Sequence, residues 1–278
     1  MTAKTRTGLT LVELLVVMVI IGILASLLLP AVHAVRSAAR KMSCTNNIRQ
    51  LALGLHVYHD QHLVFPPGNL RRGESKPLES GWGWGAMILP NVEQRSLYSM
   101  IDFNNETGVG KNCQLLTIPL DVFRCPSDPA SSLVTVENCQ MATGNYAGSS
   151  GFRGDSKPGL LYENSKVRFA DVTDGTSNTL LLGERANQML PVPVTSGWFG
   201  TFTTLTGYRV NSIPHLDVTV FVPINMSLSF PSCFSSFHTG GAHFALCDGS
   251  LKFVSDSIDM QIYQAMGSRA GGEIVDLE

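Results

Sequence analysis

The chain has 278 residues, is 44% hydrophobic and only 15% charged, and carries a formal net charge of −2. This composition describes a folded chain with room for a sizeable core, not a disordered one. Its cations form only short pairs such as Arg40-Lys41 and Arg71-Arg72, so the basic stripe of a nucleic-acid-binding protein is not visible.

Residues 1–8 read MTAKTRTG, and the run LTLVELLVVMVIIGILASLLLP comes next, uncharged from Leu14 to Leu29. Leu11 to Leu29 is 19 residues, about 28 Å of helix, just enough to cross a hydrocarbon core of about 30 Å. Lys4 and Arg6 precede the run, which predicts a cytoplasmic N-terminus and export of the chain beyond the run. Three readings compete: a secretory signal cut near Val32-His33-Ala34, an uncleaved anchor, and a third that rests on Glu13. A lone carboxylate inside the end of an apolar helix is expensive and calls for a partner.

Gly8-Leu9-Thr10-Leu11-Val12-Glu13 resembles the type IV prepilin and pseudopilin leader. The resemblance implies cleavage after Gly8 by a prepilin peptidase and N-methylation of Leu9. It also implies that Glu13 neutralises a neighbouring subunit's N-terminal amine during assembly, and that Pro30 kinks the helix where it leaves the membrane. Leu9 departs from the phenylalanine usual at that position. Loss of Lys4 and Arg6 with the leader would take the net charge to −4.

Beyond Pro30 a helical pattern continues through Ile48, Leu51, Leu55 and Tyr58, spaced to form one apolar stripe, until Pro66-Pro67-Gly68 ends it. From there the chain turns rich in Gly, Ser, Thr, Asn and Pro. Helical patches are predicted at residues 86–101, around a Leu-Pro break, and at 260–266. Strands are predicted at 167–170, 179–183, 197–202, 218–222, 243–247 and 251–255, with Asp248-Gly249-Ser250 turning the last pair into a hairpin. The predicted class is α+β: a long pilin-like N-terminal helix, half transmembrane, packed on an exported and mainly antiparallel β head. The expected divisions are a leader at 1–8, a membrane half-helix at 9–29, an exported half-helix at 30–64 and a head at 65–278.

Several blocks then resemble, in order, a bacterial family with a prepilin-type leader and domain of unknown function 1559. They are Cys44-Thr45-Asn46-Asn47-Ile48-Arg49-Gln50-Leu51 with Tyr58-His59, and Phe65-Pro66-Pro67-Gly68. Next come Ile88-Leu89-Pro90, Phe123-Arg124-Cys125-Pro126-Ser127-Asp128-Pro129, and Asn145-Tyr146-Ala147-Gly148-Ser149. The longest is Phe169 to Thr179, FADVTDGTSNT, with Gly183-Glu184 after it; His238 trailed by nine residues and Asp248-Gly249 is similar to a C-terminal H-x9-D-G signature. The resemblance implies a pseudopilin-like subunit of a type II secretion or pilus-like system. It would sit in the cytoplasmic (inner) membrane by a single pass, head exported to periplasm or cell surface. Its partners would be prepilin peptidase, the membrane and other pilin-like subunits, with no nucleic acid and no cofactor. The alternative is a membrane-tethered binding module that never polymerises.

His238 and Asp248, with Ser235, Ser236 or Cys247 as nucleophile, could suggest catalysis, but G-x-S-x-G is not present. The plainer reading is a tight Asp248-Gly249 turn with His238 bonded to nearby backbone. His56, His59 and His62 lie three apart on the helix, which strains ligation of one metal. Asp171, Asp174 and Asn178 offer oxygens that calcium could use, or ordinary turn chemistry. Trp82, Trp84 and Trp198 are read as packing groups rather than a binding surface. The six cysteines permit 15 pairings, with pairing among Cys113, Cys125 and Cys139 favoured by their closeness and free buried thiols the competing account.

Overall fold

The computed structural model describes residues 11–70, 81–105, 107–108, 110–136, 139–151, 159–189, 193–194, 197–199, 217–220, 223–225 and 233–272. Its elements, in chain order, are α1 (Leu11–His62), α2 (Trp84–Met87), α3 (Arg95–Met100), α4 (Lys111–Leu115), β1 (Leu133–Val136), β2 (Cys139–Ala142), β3 (Tyr146–Gly151), β4 (Leu180–Glu184), β5 (Gln188–Met189), β6 (Pro193–Val194), β7 (Asp217–Thr219), β8 (Gly241–Leu246), β9 (Leu251–Ser255) and α5 (Met260–Gly267). Contacts divide the chain into two compact units, residues 1–42 and 43–278.

In the first unit, α1 runs through Pro30 as one helix. Its apolar side chains are exposed all round, among them Leu15, Ile20, Leu24 and Leu28. A helix apolar on every side needs an apolar surrounding, and among the described residues this is the one helix long and apolar enough to cross a membrane.

The second unit begins with the last turns of α1. Cys44, Ile48, Leu51, Ala52, Leu55 and His59 are buried there, at the three- and four-residue steps that keep one helical face inward. Ile48, Leu51 and Leu55 of the predicted stripe are among them.

Behind this face stands a five-stranded sheet in the order β7-β3-β4-β8-β9, antiparallel except for the β3–β7 pair. Successive strand residues point to opposite faces. Thus Ala245 and Cys247 join the core shared with α1, while Ala242, Phe244 and Leu246 join a second core with Tyr263 and Met266 of α5. The architecture is α+β with a pilin-like N-terminal helix.

The predicted hairpin is present as β8 and β9, and β4, α5 and the broken helix of α2 and α3 also form. The predicted strand at 167–170 is replaced by a loop and a single helical turn, Phe169–Asp171. The cause is local: the Asp171 carboxylate accepts from the Arg168 amide at 2.8 Å and from its guanidinium at 2.8 and 3.2 Å, closing the turn. Of the strand predicted at 197–202, residues 197–199 form a bend that buries Trp198, and the rest lies outside the described residues. The strand predicted at 218–222 is shifted to Asp217–Thr219 in β7, with residues 221–222 outside the described residues.

Candidate functional site

Four segments far apart in the chain meet at one buried point. Cys44 of α1 is joined by a disulfide to Cys125, with Cα atoms 4.9 Å apart across 81 residues of sequence. Glu184 ends β4 with 2% exposure. His243 lies on β8 directly beside it, because β8 pairs with β4 at Gly183–Phe244.

The segment before β8 is laid against the end of β4 by backbone bonds, Ser235 N donating to Glu184 O at 3.0 Å and Ala186 N to Ser235 O at 2.9 Å. Ser236 Oγ then accepts from the His238 amide at 2.9 Å and donates to Gly241 O at 2.7 Å. This places His238 over the carboxylate.

The two carboxylate oxygens of Glu184 differ. Oε2 accepts from the His243 amide at 2.8 Å and stands 3.1 Å from His243 Nδ1. Oε1 lies 3.1 Å from His238 Nε2, close enough for an ion pair, yet out of line for a hydrogen bond, and accepts none from any described residue. Burial pushes the Glu184 carboxyl up, but its pairing with His238 and His243 outweighs this and holds the group below its ordinary value. His238 Nε2 is also 3.6 Å from Cys125 Sγ.

A polar cluster backs this centre. Asn145 Oδ1 accepts from the Cys125 amide at 2.9 Å, and its Nδ2 donates to Asp128. Asp128, also buried, accepts from the Asn187 amide at 2.9 Å and side chain at 3.0 Å, and from Ala130 N at 2.8 Å. A small, water-sized recess is lined by Cys125, Glu184 and Arg185.

The candidate residues of the sequence divide accordingly. His238 binds the carboxylate and sulfur centre, not nearby backbone as the plainer reading had it. Asp248 and Gly249 do form the tight turn, with Gly249 at φ +84° and Asp248 Oδ1 accepting from Ser250 N at 2.8 Å. That turn faces α1, where His56 Nε2 sits 3.0 Å from Cys247 O. The two halves of the H-x9-D-G segment therefore serve different places.

Ser235 Oγ accepts from the Ala186 amide at 3.1 Å. Burial, then the charge of Asp248, pushes the Cys247 thiol up to about 12, leaving it protonated at neutral pH. His56 and His59 both pack against Phe65 and Phe169, whereas His62 stacks on Tyr58, so the three helix histidines do not meet at one point.

The three oxygen donors for calcium are engaged elsewhere. Asp171, held down to about 2 by the Arg168 side chain, closes its turn. Asp174 accepts from the amides of Gly271 and Gly272 at 2.5 and 2.9 Å, and Asn178 Nδ2 donates to Asp174 O at 3.2 Å. All three tryptophans are buried. Cys113 pairs with Cys139, as the favoured set allowed, whereas the partner of Cys125 is the distant Cys44. Cys233 and Cys247 are buried thiols outside either disulfide.

Glu13 lies in the first turn of α1 and Pro30 within it, while Gly8 and Leu9 lie outside the described residues. Sequence reasoning missed the pairing of Cys44 and the roles of His243, Asp128 and Asn145. The available signal was that Cys44, Cys125, Asp128, Asn145, Glu184 and His238 all fall in the blocks that carried the family resemblance.

An all-round apolar N-terminal helix leading into a mixed α+β head defines a pilin-like, membrane-associated protein. The prokaryotic N-terminal methylation motif matches residues 3–29. The chain belongs to the family described as "Protein of unknown function (DUF1559)", whose model matches residues 33–211 and 222–261. No curated protein and no solved structure matches it.

Proposed function

We propose that this protein is a structural subunit, cut after Gly8 by a prepilin peptidase, methylated on Leu9 and assembled with other pilin-like subunits through α1, in a type II secretion or pilus-like system. The observation that carries this reading is the methylation motif over residues 3–29 leading directly into a helix whose apolar surface is open on all sides. In a bilayer such a helix spans once, with Lys4 and Arg6 on the cytoplasmic side and the head exported. Glu13 within the apolar stretch then pairs with the freed amine of a neighbouring subunit, which offsets the cost of placing a carboxylate in hydrocarbon. The head acts in this reading as a subunit surface and not as an enzyme: the Ser235 and Ser236 hydroxyls are committed to backbone and the Cys247 thiol is protonated. The activated nucleophile and oriented base of covalent catalysis therefore do not come together among them.

Mass spectrometry of the chain recovered from membranes should find Leu9 at the N-terminus, with or without a methyl group. A terminus at Val35, or an intact Met1, would overturn the reading. Glu13→Ala should abolish cross-linked multimers while leaving monomer in the membrane. Multimers unchanged by Glu13→Ala would favour the tethered, non-polymerising module instead.

A further inference from the structure

The Cys44 and Cys125 sulfurs, His238 Nε2 and a Glu184 carboxylate oxygen all lie within 4.8 Å of one another. These are two soft sulfur donors, one imidazole and one carboxylate, the donor classes that zinc takes in four-coordinate sites. We propose that the reduced form of this centre is a zinc site with Cys44, Cys125, Glu184 and His238 as its four ligands, and that the disulfide is its closed, metal-free state.

Three features of the site support this assignment. The first is spacing. A tetrahedral zinc ion with sulfur at about 2.3 Å and nitrogen at about 2.05 Å separates those two ligand atoms by about 3.6 Å, and nitrogen and oxygen by about 3.4 Å. Cys125 Sγ and His238 Nε2 stand 3.6 Å apart, and His238 Nε2 and Glu184 Oε1 stand 3.1 Å apart. Two edges of the polyhedron are therefore already close to length. Once the disulfide is opened, side-chain rotation must carry the sulfurs to about 3.8 Å, the separation set by the same bond lengths.

The second feature is the free oxygen. Glu184 is 2% exposed, and its Oε1 accepts no hydrogen bond from any described residue. A buried carboxylate oxygen left without a donor is costly. This one faces the imidazole and the sulfurs, where a cation would satisfy it. The third is the outer support. Oε2 is fixed by His243 through amide and ring, which orients Oε1 as a single-oxygen ligand. The Ser236 hydroxyl fixes the His238 backbone, and Asn145 fixes that of Cys125. Such outer bonds set ligand direction in zinc sites. The small recess lined by Cys125 and Glu184 adjoins two of the four ligands.

Electrons and protons balance in two steps. A dithiol reductant passes two electrons and two protons to the disulfide, giving the Cys44 and Cys125 thiols and the reductant's own disulfide. A zinc ion then displaces the two thiol protons and binds both thiolates, the carboxylate and the neutral imidazole. The four ligands with zinc carry a net charge of −1, and Arg185 lines the same recess.

The test uses the full chain in detergent, reduced anaerobically with a phosphine that does not chelate zinc. The reduced chain should take up one equivalent of zinc and the oxidised chain none. Cobalt in its place should give the intense visible bands of a tetrahedral thiolate site. His238→Ala and Glu184→Gln should each weaken zinc binding by at least about 10-fold, while the pair Cys113→Ser and Cys139→Ser leaves it intact. Circular dichroism checks that each chain stays folded. The proposal fails if the folded, reduced chain takes up no zinc, if Cys125→Ser takes up as much as the parent, or if reduction unfolds the head and zinc does not restore it.

Discussion

Glu184 shows how much one side chain asks of its neighbours in the interior of this head. Its ordinary value is 4.5; burial raises it, and His238 and His243 lower it by more. A native value below the unfolded one means that the unfolded chain binds more protons on the acid side. Glu184 therefore stabilises the fold above its ordinary value, and that contribution disappears as pH falls through its depressed native value. Urea midpoints measured between roughly pH 5 and pH 3 should fall more steeply for the parent than for Glu184→Gln; parallel slopes would refute the ion-pair account. The types and positions of these residues were readable in the sequence, since Glu184 and His238 sit in recognisable blocks. Their meeting was not, because 54 positions of chain separate them and only the β4–β8 register and the pairing of Ser235 with Glu184 bring them together. His243 had no motif of its own and entered the site through that register alone.

Among the elements, α1 offers the plainest contrast. Leu51 is fully buried and Leu53, two residues on, is 63% exposed, because two residues turn a helix by about 200°. Leu51→Ala should destabilise the head by about 3 kcal/mol through lost burial and a cavity. Leu53→Ala should change stability by under about 0.5 kcal/mol, both read from denaturant midpoints. This stripe was legible beforehand because its period is local.

The disulfides were less so. Cys113 and Cys139 close a short loop of 26 residues, Cys44 and Cys125 a long one of 81. Loop-closure entropy assigns them about 3.5 and about 4.5 kcal/mol respectively. Cys44→Ser is accordingly expected to lower the unfolding midpoint more than Cys113→Ser; the reverse order would show that the loop entropy is not what decides. The strand expected at 167–170 failed for a local reason: Val167 and Phe169 alternate as in a strand, but the Arg168–Asp171 side-chain bonds close a turn instead.

For the molecule as a whole, the division after Met42 carries its own prediction. A fragment of residues 43–278 keeps Cys44, Ile48, Leu51 and Leu55 and so the full core of its unit. It should be soluble without detergent and unfold cooperatively at the midpoint of the head in the full chain. A fragment starting at Pro66 loses that buried face and should not fold; if it folds equally well, α1 is not part of the core. The sequence by itself determined the N-terminal methylation motif, the apolar helix, the α+β class and the family, since each rests on short-range pattern: charges before an apolar run, a glycine and a glutamate five apart, helical and strand periodicity, ordered blocks. Only the tertiary structure decided that Cys44 pairs with Cys125, that His238 and Asp248 part company, and that a carboxylate, an imidazole and two sulfurs share one buried point. Those facts depend on strand order and register, which arise from packing two faces of a sheet and leave no local trace in the chain.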